Sequence, residues 1–514
     1  MEKSIRKIMF ILMIVIIAIS LRFGFEYVYN FILNLIDHRP YIGFAIRTLL
    51  VAIVVVVWMY VSLRSENPTQ KLPWLLILTF EPIIGITLFL SFGRGFKNSF
   101  RYRRRPLIHD DAYITKETKS SDGPLTLPTD DKDLTHIFHA SHRISYHQPF
   151  ADSTEITVLK NGEAFYPDLI NSIENAKQFI LMEFFIIRND TRSRQVLDLM
   201  MKKAEEGIEV KLIFDALGSA RISRKYLKKL RKSPIDVIIN DRIYFPLFNT
   251  RMNFRNHRKI VVVDGLVGYT GGMNLADEYD NTIAYDYYFR DTQVKLVGEA
   301  VRSLTCIFFK DYYYNTGHFI DDDIYYPKTN VKTRGITQIL QSGPDSHEAH
   351  IRNVYLKMIL TAKKSIRIMT PYMALDQETL TALIVARRSG VDVEIIIPGT
   401  PDKRLVYNVT KFFATVMLKH DINVYQYTKG FSHAKIFVID DKLASVGSYN
   451  LDNRSAVIDF EITALFTGSA VQTIVDQFIQ DKQDSHKIDP ITWQKRNIFI
   501  KVFEGLLSIF APII

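Results

Sequence analysis

Residues 256–274 read NHRKIVVVDGLVGYTGGMN, and residues 432–450 read SHAKIFVIDDKLASVGSYN. Both stretches carry His, a Lys two positions on and an Asp seven positions on: His257, Lys259 and Asp264 in the first, His433, Lys435 and Asp440 in the second. A small pair follows each Asp at seven residues (Gly271-Gly272, Gly447-Ser448), and an Asn at ten (Asn274, Asn450). Chance yields roughly 0.05 matches to H-x-K-x4-D in a chain of this composition, so two with matching tails mark a duplication. His and Lys two apart on a strand share one face. The Asp stands at an odd offset, so it faces away or sits at a turn, more an anchor than a proton carrier. Asp264-Gly265 reads as a two-residue hairpin turn and Asp441-Lys442 as its weaker counterpart. The return strands end on small residues, where a backbone can approach an anion, and the two asparagines offer amide donors.

The repeat extends upstream of each motif. Residues 179–187 (FILMEFFII) form an apolar, β-branched and aromatic run, read as a buried strand. A helix follows with Val196, Leu199, Met200 and Ala204 on one face and Gly207 past its end, and 208–214 is the next strand. In the second copy, 365–369 is a strand, Leu380, Leu383, Ile384 and Arg387 mark a helix ending before Gly390, and 391–397 is a strand. Strand–helix–strand order met twice predicts an α/β fold of two layered halves with largely buried sheets.

The composition is globular: 514 residues, 47% hydrophobic and 23% charged, which excludes a disordered or collagenous chain. One cysteine, Cys306, excludes an intrachain disulfide and a Cys-rich zinc site, and a net charge of +10 suits a phosphate-bearing partner. The N-terminus is uneven. Apolar runs occupy residues 8–21, 48–63 and 74–92, the last interrupted by Glu81 and Pro82. About 20 apolar residues cross a bilayer, so two or three membrane helices are expected. Arg94, Lys97, Arg101, Arg103, Arg104 and Arg105 follow without an acid among them, which places the rest of the chain in the cytoplasm by the positive-inside rule. The expected division is a membrane region (1–92), a basic juxtamembrane segment and linker (93–150), two halves (151–330 and 331–485) and an amphipathic tail (486–514). Apolar residues at 499, 502, 503, 506, 509 and 510 of that tail fit an interfacial helix, with a core helix or an oligomer contact as alternatives.

Two imidazoles, two ammonium groups and two amides in one pocket suit a phosphodiester. One neutral His can attack phosphorus while the other, protonated, donates to the leaving alkoxide, and Lys259, Lys435, Asn274 and Asn450 can stabilise charge on the non-bridging oxygens. No carboxylate cluster suggests a metal pair, so the reaction is expected to need neither metal nor cofactor.

At these residues the chain resembles the phospholipase D superfamily, whose HKD motif occurs here twice. With hydrophobic segments ahead of the duplicated core and R-N-H-R-K at the first motif, it is similar to the bacterial cardiolipin synthases. The resemblance implies phospholipase D-like α/β/α halves sharing one site across a pseudo-twofold axis, with both HKD triplets, Asp264 and Asp440 included, in the catalytic set. It implies transfer of a phosphatidyl group from one phosphatidylglycerol to a histidine and then to a second phosphatidylglycerol, giving cardiolipin and glycerol. It also implies that His257 is the nucleophile and His433 the acid/base, that an acid after each motif (Asp291, Glu461) orients its imidazole, and that the enzyme sits in the bacterial cell membrane. The expected partners are phosphatidylglycerol and anionic membrane lipids, with no nucleic acid and with homo-oligomerisation left open. A membrane-bound hydrolase releasing phosphatidic acid is the alternative.

Overall fold

A computed structural model describes residues 40–63, 68–82 and scattered positions between 85 and 127; from 129 on it describes everything except 242–253, 347 and 512–514. The chain forms two compact units, Met1–Gly93 and Arg94–Ile514.

In the first unit, α1 (Pro40–Leu63) is 24 residues long and contains the second apolar run, with Arg47 its one charged residue. At 1.5 Å per residue it extends about 36 Å. The helix α2 (Pro68–Phe80) starts ahead of the third run and ends where Glu81-Pro82 interrupts it. Val57, Val61, Leu78 and Phe89 are buried together, while Leu49, Val51, Val56, Leu63 and Phe80 stay exposed. Among the described residues no helix satisfies a joint requirement of length and apolar content for crossing a membrane. The first run, 8–21, and the basic segment 94–105 lie outside the described residues.

The second unit opens with α3 (Lys132–Ser145), capped by the Asp131 carboxylate. Here the fold corrects the expected linker. Ile137 and Phe138 bury one face of α3 against the outer layer of the second half, and the strand after it joins that half's sheet. The helix escapes a hydropathy reading because its buried stripe is completed by Ser141 and Ser145. The chain continues as β1 (Pro149–Ala151), β2 (Thr154–Lys160), α4 (Asn161–Glu174), β3 (Phe179–Phe184), α5 (Thr191–Glu205), β4 (Glu209–Asp215), α6 (Arg224–Lys232), β5 (Asp236–Asn240), β6 (Ile260–Val263), β7 (Val267–Gly271), β8 (Tyr288–Arg290), β9 (Thr292–Gly298) and α7 (Val301–Thr316). The second copy follows as β10 (Ile336–Ser342), α8 (His350–Thr361), β11 (Ser365–Met369), β12 (Met373–Ala374), α9 (Gln377–Arg388), β13 (Asp392–Pro398), α10 (Arg404–Lys419), β14 (Asn423–Tyr427), β15 (Gly430–Ser432), β16 (Ile436–Ile439), β17 (Leu443–Gly447), β18 (Leu451–Asp452), α11 (Asn453–Val457), β19 (Glu461–Phe466) and α12 (Ser469–Gln483). The tail adds β20 (Ser485–Lys487), α13 (Pro490–Gln494) and α14 (Ile498–Ser508).

Two large sheets result, a seven-stranded one in the order β2-β9-β7-β6-β3-β4-β5 and a nine-stranded one in the order β1-β10-β19-β17-β16-β11-β13-β14-β20, with two-stranded pairs β12-β18 and β8-β15 beside them. The parallel trio β3-β4-β5 in one matches β11-β13-β14 in the other. Each trio is linked by helices with the same punctuation: Asp190 caps α5 and Asp376 caps α9, and Gly207 and Gly390 close them at φ +94° and +93°, a region open to glycine without a Cβ clash. The α9 face is buried through Thr379, Ala382, Leu383 and Ala386, one position off the expected stripe, because Arg387 reaches out to the Asp421 carbonyl instead of inward. The layers run helix–sheet–helix–sheet–helix. Helices α4, α5 and α6 cover the first sheet, α7 and α12 lie between the sheets, and α3, α8, α9 and α10 cover the second. Strand β20 pairs with β14, so the second half extends into the segment read as tail.

Candidate active site

In both hairpins that follow the HKD histidines, the Asp is the first of two turn residues with positive φ: Asp264-Gly265 (54°, 67°) and Asp440-Asp441 (52°, 56°). The second turn therefore sits one residue earlier than Asp441-Lys442, closed by the Lys442 N–H on the Ile439 carbonyl as Leu266 closes on Val263. The two aspartates do not enter the pocket. Asp264 accepts backbone N–H groups of Lys177, Gln178 and Phe179 at 2.7–2.9 Å, and Asp440 those of Lys363, Lys364 and Ser365 at 2.6–3.1 Å. Each thereby ties the far end of its hairpin to the start of the central strand, β3 or β11.

At the other end of those strands the fold gathers His257, Lys259, His433, Lys435, Asp291 and Glu461, and it does so crosswise. The His257 backbone N–H donates to the Phe460 carbonyl (2.9 Å), and the His433 N–H donates to the Arg290 carbonyl (2.7 Å). The parallel bridge Asn256↔Phe460 and the short parallel ladder β8–β15 set these registers. Each histidine thus lies beside the acid of the opposite half. His433 Nδ1 is 2.6 Å from Asp291 Oδ2, and His257 Nδ1 is 3.0 and 3.1 Å from the two Glu461 oxygens. The expectation that each acid serves the imidazole of its own motif is corrected: the partners are exchanged. With Nδ1 occupied, Nε2 is the ring nitrogen left for chemistry on both residues.

The lysines complete the pocket. Lys259 Nζ donates to the His257 carbonyl (2.6 Å); Lys435 Nζ donates to the His433 carbonyl (2.5 Å) and lies 2.9 Å from His433 Nε2. Burial lowers Lys259 to about 7, with the Lys435 charge adding to the cost, and lowers Lys435 to about 8 against the pull of Asp291 and Glu461. Burial and the Lys435 charge push His433 down to about 4, against the pull of Asp291; burial and both lysines hold His257 well below its ordinary range. Glu461 rises to about 7 through burial. Burial also works to raise Asp291, but its His433 partner and the Lys435 charge outweigh it and leave that carboxyl low.

Several residues at the site escaped sequence reasoning. Ser448 and Ser455 both donate hydroxyls to Glu461, the latter at 2.8 Å. Fully buried Arg258 donates to Asp311 on α7 (2.5 Å) and to the Glu461 carbonyl (3.3 Å). Fully buried Arg290 donates to Asp481 on α12 (2.8 Å) and to the Asp291 carbonyl. These two guanidiniums hold the backbone of the two acids, Arg258 from the residue after His257 and Arg290 from the end of β8. Arg258 stood in the quoted R-N-H-R-K string without a role, since nothing local to it indicates its partner at 311. The asparagines part company. Asn274 spends its amide on the fold, accepting from the Ile186 N–H (3.1 Å) and donating to the Tyr279 hydroxyl (2.6 Å), whereas the buried Asn450 Oδ1 has no hydrogen-bond partner among the described residues.

The family described as "Cardiolipin synthase, PLD-like domain" matches residues 169–288 and 355–482, one match per half. The cardiolipin synthase of Alkalihalophilus pseudofirmus is 32% identical over 466 residues, covering 90% of this chain and 92% of that protein. This chain belongs to the cardiolipin synthase family. A probable cardiolipin synthase of Bacillus subtilis, another family member, is 33% identical over 472 residues, 91% of this chain and 93% of its own length. Among solved structures, the phosphatidylserine synthase of Haemophilus influenzae superposes with a TM-score of 0.56 at 16% identity, covering 73% of this chain and 97% of that one. At that identity the likeness establishes the duplicated phospholipase D-like fold alone.

Proposed function

We propose that the protein is a cardiolipin synthase that joins two phosphatidylglycerol molecules through a phosphohistidine intermediate. The near-full-length kinship to cardiolipin synthases supports the substrate class, and the crossed His–carboxylate pairs flanked by two lysines carry the chemistry. His257 Nε2 attacks the donor phosphorus, the phosphorus–oxygen bond to glycerol breaks, and His433 gives its Nε2 proton to the departing glycerol oxygen. The primary hydroxyl of a second phosphatidylglycerol then loses its proton to His433 and attacks; the phosphorus–nitrogen bond breaks and cardiolipin leaves.

In the free enzyme burial holds both imidazoles neutral, His433 at about 4, so the two roles separate only when substrate charge is bound. Asp291, low in pKa and 2.6 Å from His433, supports an imidazolium there, while Glu461 near 7 gives weaker support to a charge on His257, which stays neutral and nucleophilic. A bound phosphodiester adds negative charge and draws His433 and both lysines towards their protonated forms. Lys259 and Lys435 meet the non-bridging oxygens, with Asn450 free to help. Asp264 and Asp440 act through the hairpins they anchor.

Membrane attachment is part of the same reading. Supporting it are the 24 residues of α1 with one charge, the exposed apolar side chains along it, and the basic segment at 94–105, which together favour an anchored enzyme with its catalytic unit on the cytoplasmic side. Purified protein given phosphatidylglycerol vesicles is expected to yield cardiolipin and glycerol in equal amounts with EDTA present. Phosphatidic acid as the sole lipid product would assign it to the hydrolases instead.

A further inference from the structure

The helix α14 is built inside out. Its one fully buried residue is an acid, Glu504; Leu507 packs half-buried on the core of the second half, and the other large apolar side chains face outward. Phe499 is 79% exposed, with Val502, Phe503, Leu506, Ile509 and Phe510 exposed beside it. A helix docked by the hydrophobic effect does the opposite. The packing of α14 on α10 is instead organised around the acid: Glu504 takes an ion pair from Lys411 of α10 (3.0 Å) and another from Arg496 (2.8 Å), whose guanidinium stacks 3.7 Å from the centre of the Trp493 ring. The segment still touches the second half's core through half-buried Leu507 and buried Ala511, so the core alternative holds for that edge alone, while most of its apolar surface is left outside. The outer face is apolar and is flanked by Lys495 and Lys501, neither of which forms an ion pair among the described residues.

We infer that α14 is a monotopic membrane-docking helix, its aromatic and aliphatic face sunk into the headgroup–acyl boundary of an anionic bilayer and its Glu504 latch holding it to the catalytic unit. Three observations select a bilayer over a second copy of the chain. The rim carries Lys495, within electrostatic reach of the exposed Asp489, and Lys501, whose ammonium donates only to the Gln494 carbonyl (3.1 Å), a cationic balance that suits anionic headgroups. The only acid of α14 is turned inward and neutralised by two cations, so the helix itself sets no negative group against such a surface. The far end of the segment also meets the active-site region. The Ala511 carbonyl accepts from Asn453 of α11 (3.2 Å), the short helix whose Ser455 hydroxyl holds Glu461. A surface that binds lipid thus adjoins the acid that orients His257, and a lipid substrate would have a short path from bilayer to pocket.

The test uses full-length protein in vesicles of phosphatidylglycerol and phosphatidylethanolamine, with a nitroxide placed by Phe503→Cys and, as a reference, by Gln494→Cys. The native Cys306 is buried and does not compete for label. At position 503 collisions with oxygen should exceed those with a water-soluble nickel complex, and at 494 the order should reverse. A nickel-accessible label at 503 would overturn the inference, as would spin–spin broadening between copies that persists without lipid, which would identify a second chain as the occupant. This readout needs no turnover, so its failure is distinguishable from failure of the cardiolipin synthase reading. Independently, a Phe499→Ser/Phe503→Ser variant should raise the apparent KM for vesicle substrate about tenfold, equivalent to about 1.4 kcal/mol, while activity on detergent-dispersed substrate stays within twofold. Equal losses on both substrates would mean the helix is structural only.

Discussion

The two halves share one backbone design but furnish their acids differently. Both histidines donate their backbone N–H to the carbonyl just before the opposite acid, and an arginine supports each acid's own carbonyl. Around the side chains the likeness stops. Glu461 has two serine hydroxyls, from Ser448 and Ser455, whereas the position matching Ser448 is Gly272, where a Cβ would collide with the Asp291 carboxylate. Asp291, one methylene shorter, receives the Thr292 N–H (2.7 Å) and His433. Burial therefore lifts Glu461 to about 7 in spite of its two serine donors, while the charges of His433 and Lys435 outweigh burial and keep Asp291 low. Duplication supplied the symmetry, and divergence at a few contacts gave the two imidazoles unlike carboxylate partners.

The largest test removes the imidazoles. His257→Ala and His433→Ala should each lower kcat by roughly 10⁴-fold or more, with the double variant hardly worse, since groups acting as a unit are not additive. Wild-type turnover in either would end the shared-site reading. Exchanging the acids sharpens the comparison. Asp291→Asn should cost about 10³-fold in kcat because it strips an ionised partner from the proton donor. Glu461→Gln should cost nearer 10²-fold, as its carboxyl is already partly protonated near pH 7; equal losses would show that the difference in pKa carries no functional weight.

The asparagines should separate stability from binding. Asn274→Ala strands the Ile186 N–H and the Tyr279 hydroxyl and should lower unfolding free energy by about 1–3 kcal/mol in denaturant titration. Asn450→Ala should leave stability within about 0.5 kcal/mol and raise KM instead. The smallest effect is in pH. Lys259 and Lys435 have folded-state values depressed to about 7 and about 8, so as pH rises through that window the free enzyme loses the charges that meet phosphate. A kcat/KM profile should fall several-fold between pH 7 and 9, and a flat profile would show that those charges are not needed for capture.

The duplication, the strand–helix–strand order and the residues of the pocket were legible because they repeat at fixed spacing or follow a period. What was hidden depends on distance in sequence. The exchange of acids between halves cannot be read from either motif, since own and opposite partners satisfy the same local pattern. Arg258 looks like a surface base until Asp311 is brought against it by α7. The helix α3 hid because serines complete its buried face, and the turn at Asp440-Asp441 was read one residue late because an aspartate in the left-handed region leaves a weaker signature than glycine. The tail showed its period plainly, but a period alone does not say which face turns inward, and in α14 the inward face is built on Glu504 with Leu507 beside it.

Because every imidazole here borrows its carboxylate from across the divide, neither lobe owns a complete unit of chemistry. A half-length ancestor of this design would have been competent only as a pair, each copy lending its acid to its twin. Fusing the pair into one chain released the loaned groups from having to be identical, and the aspartate on one side facing a glutamate on the other is the trace of that freedom.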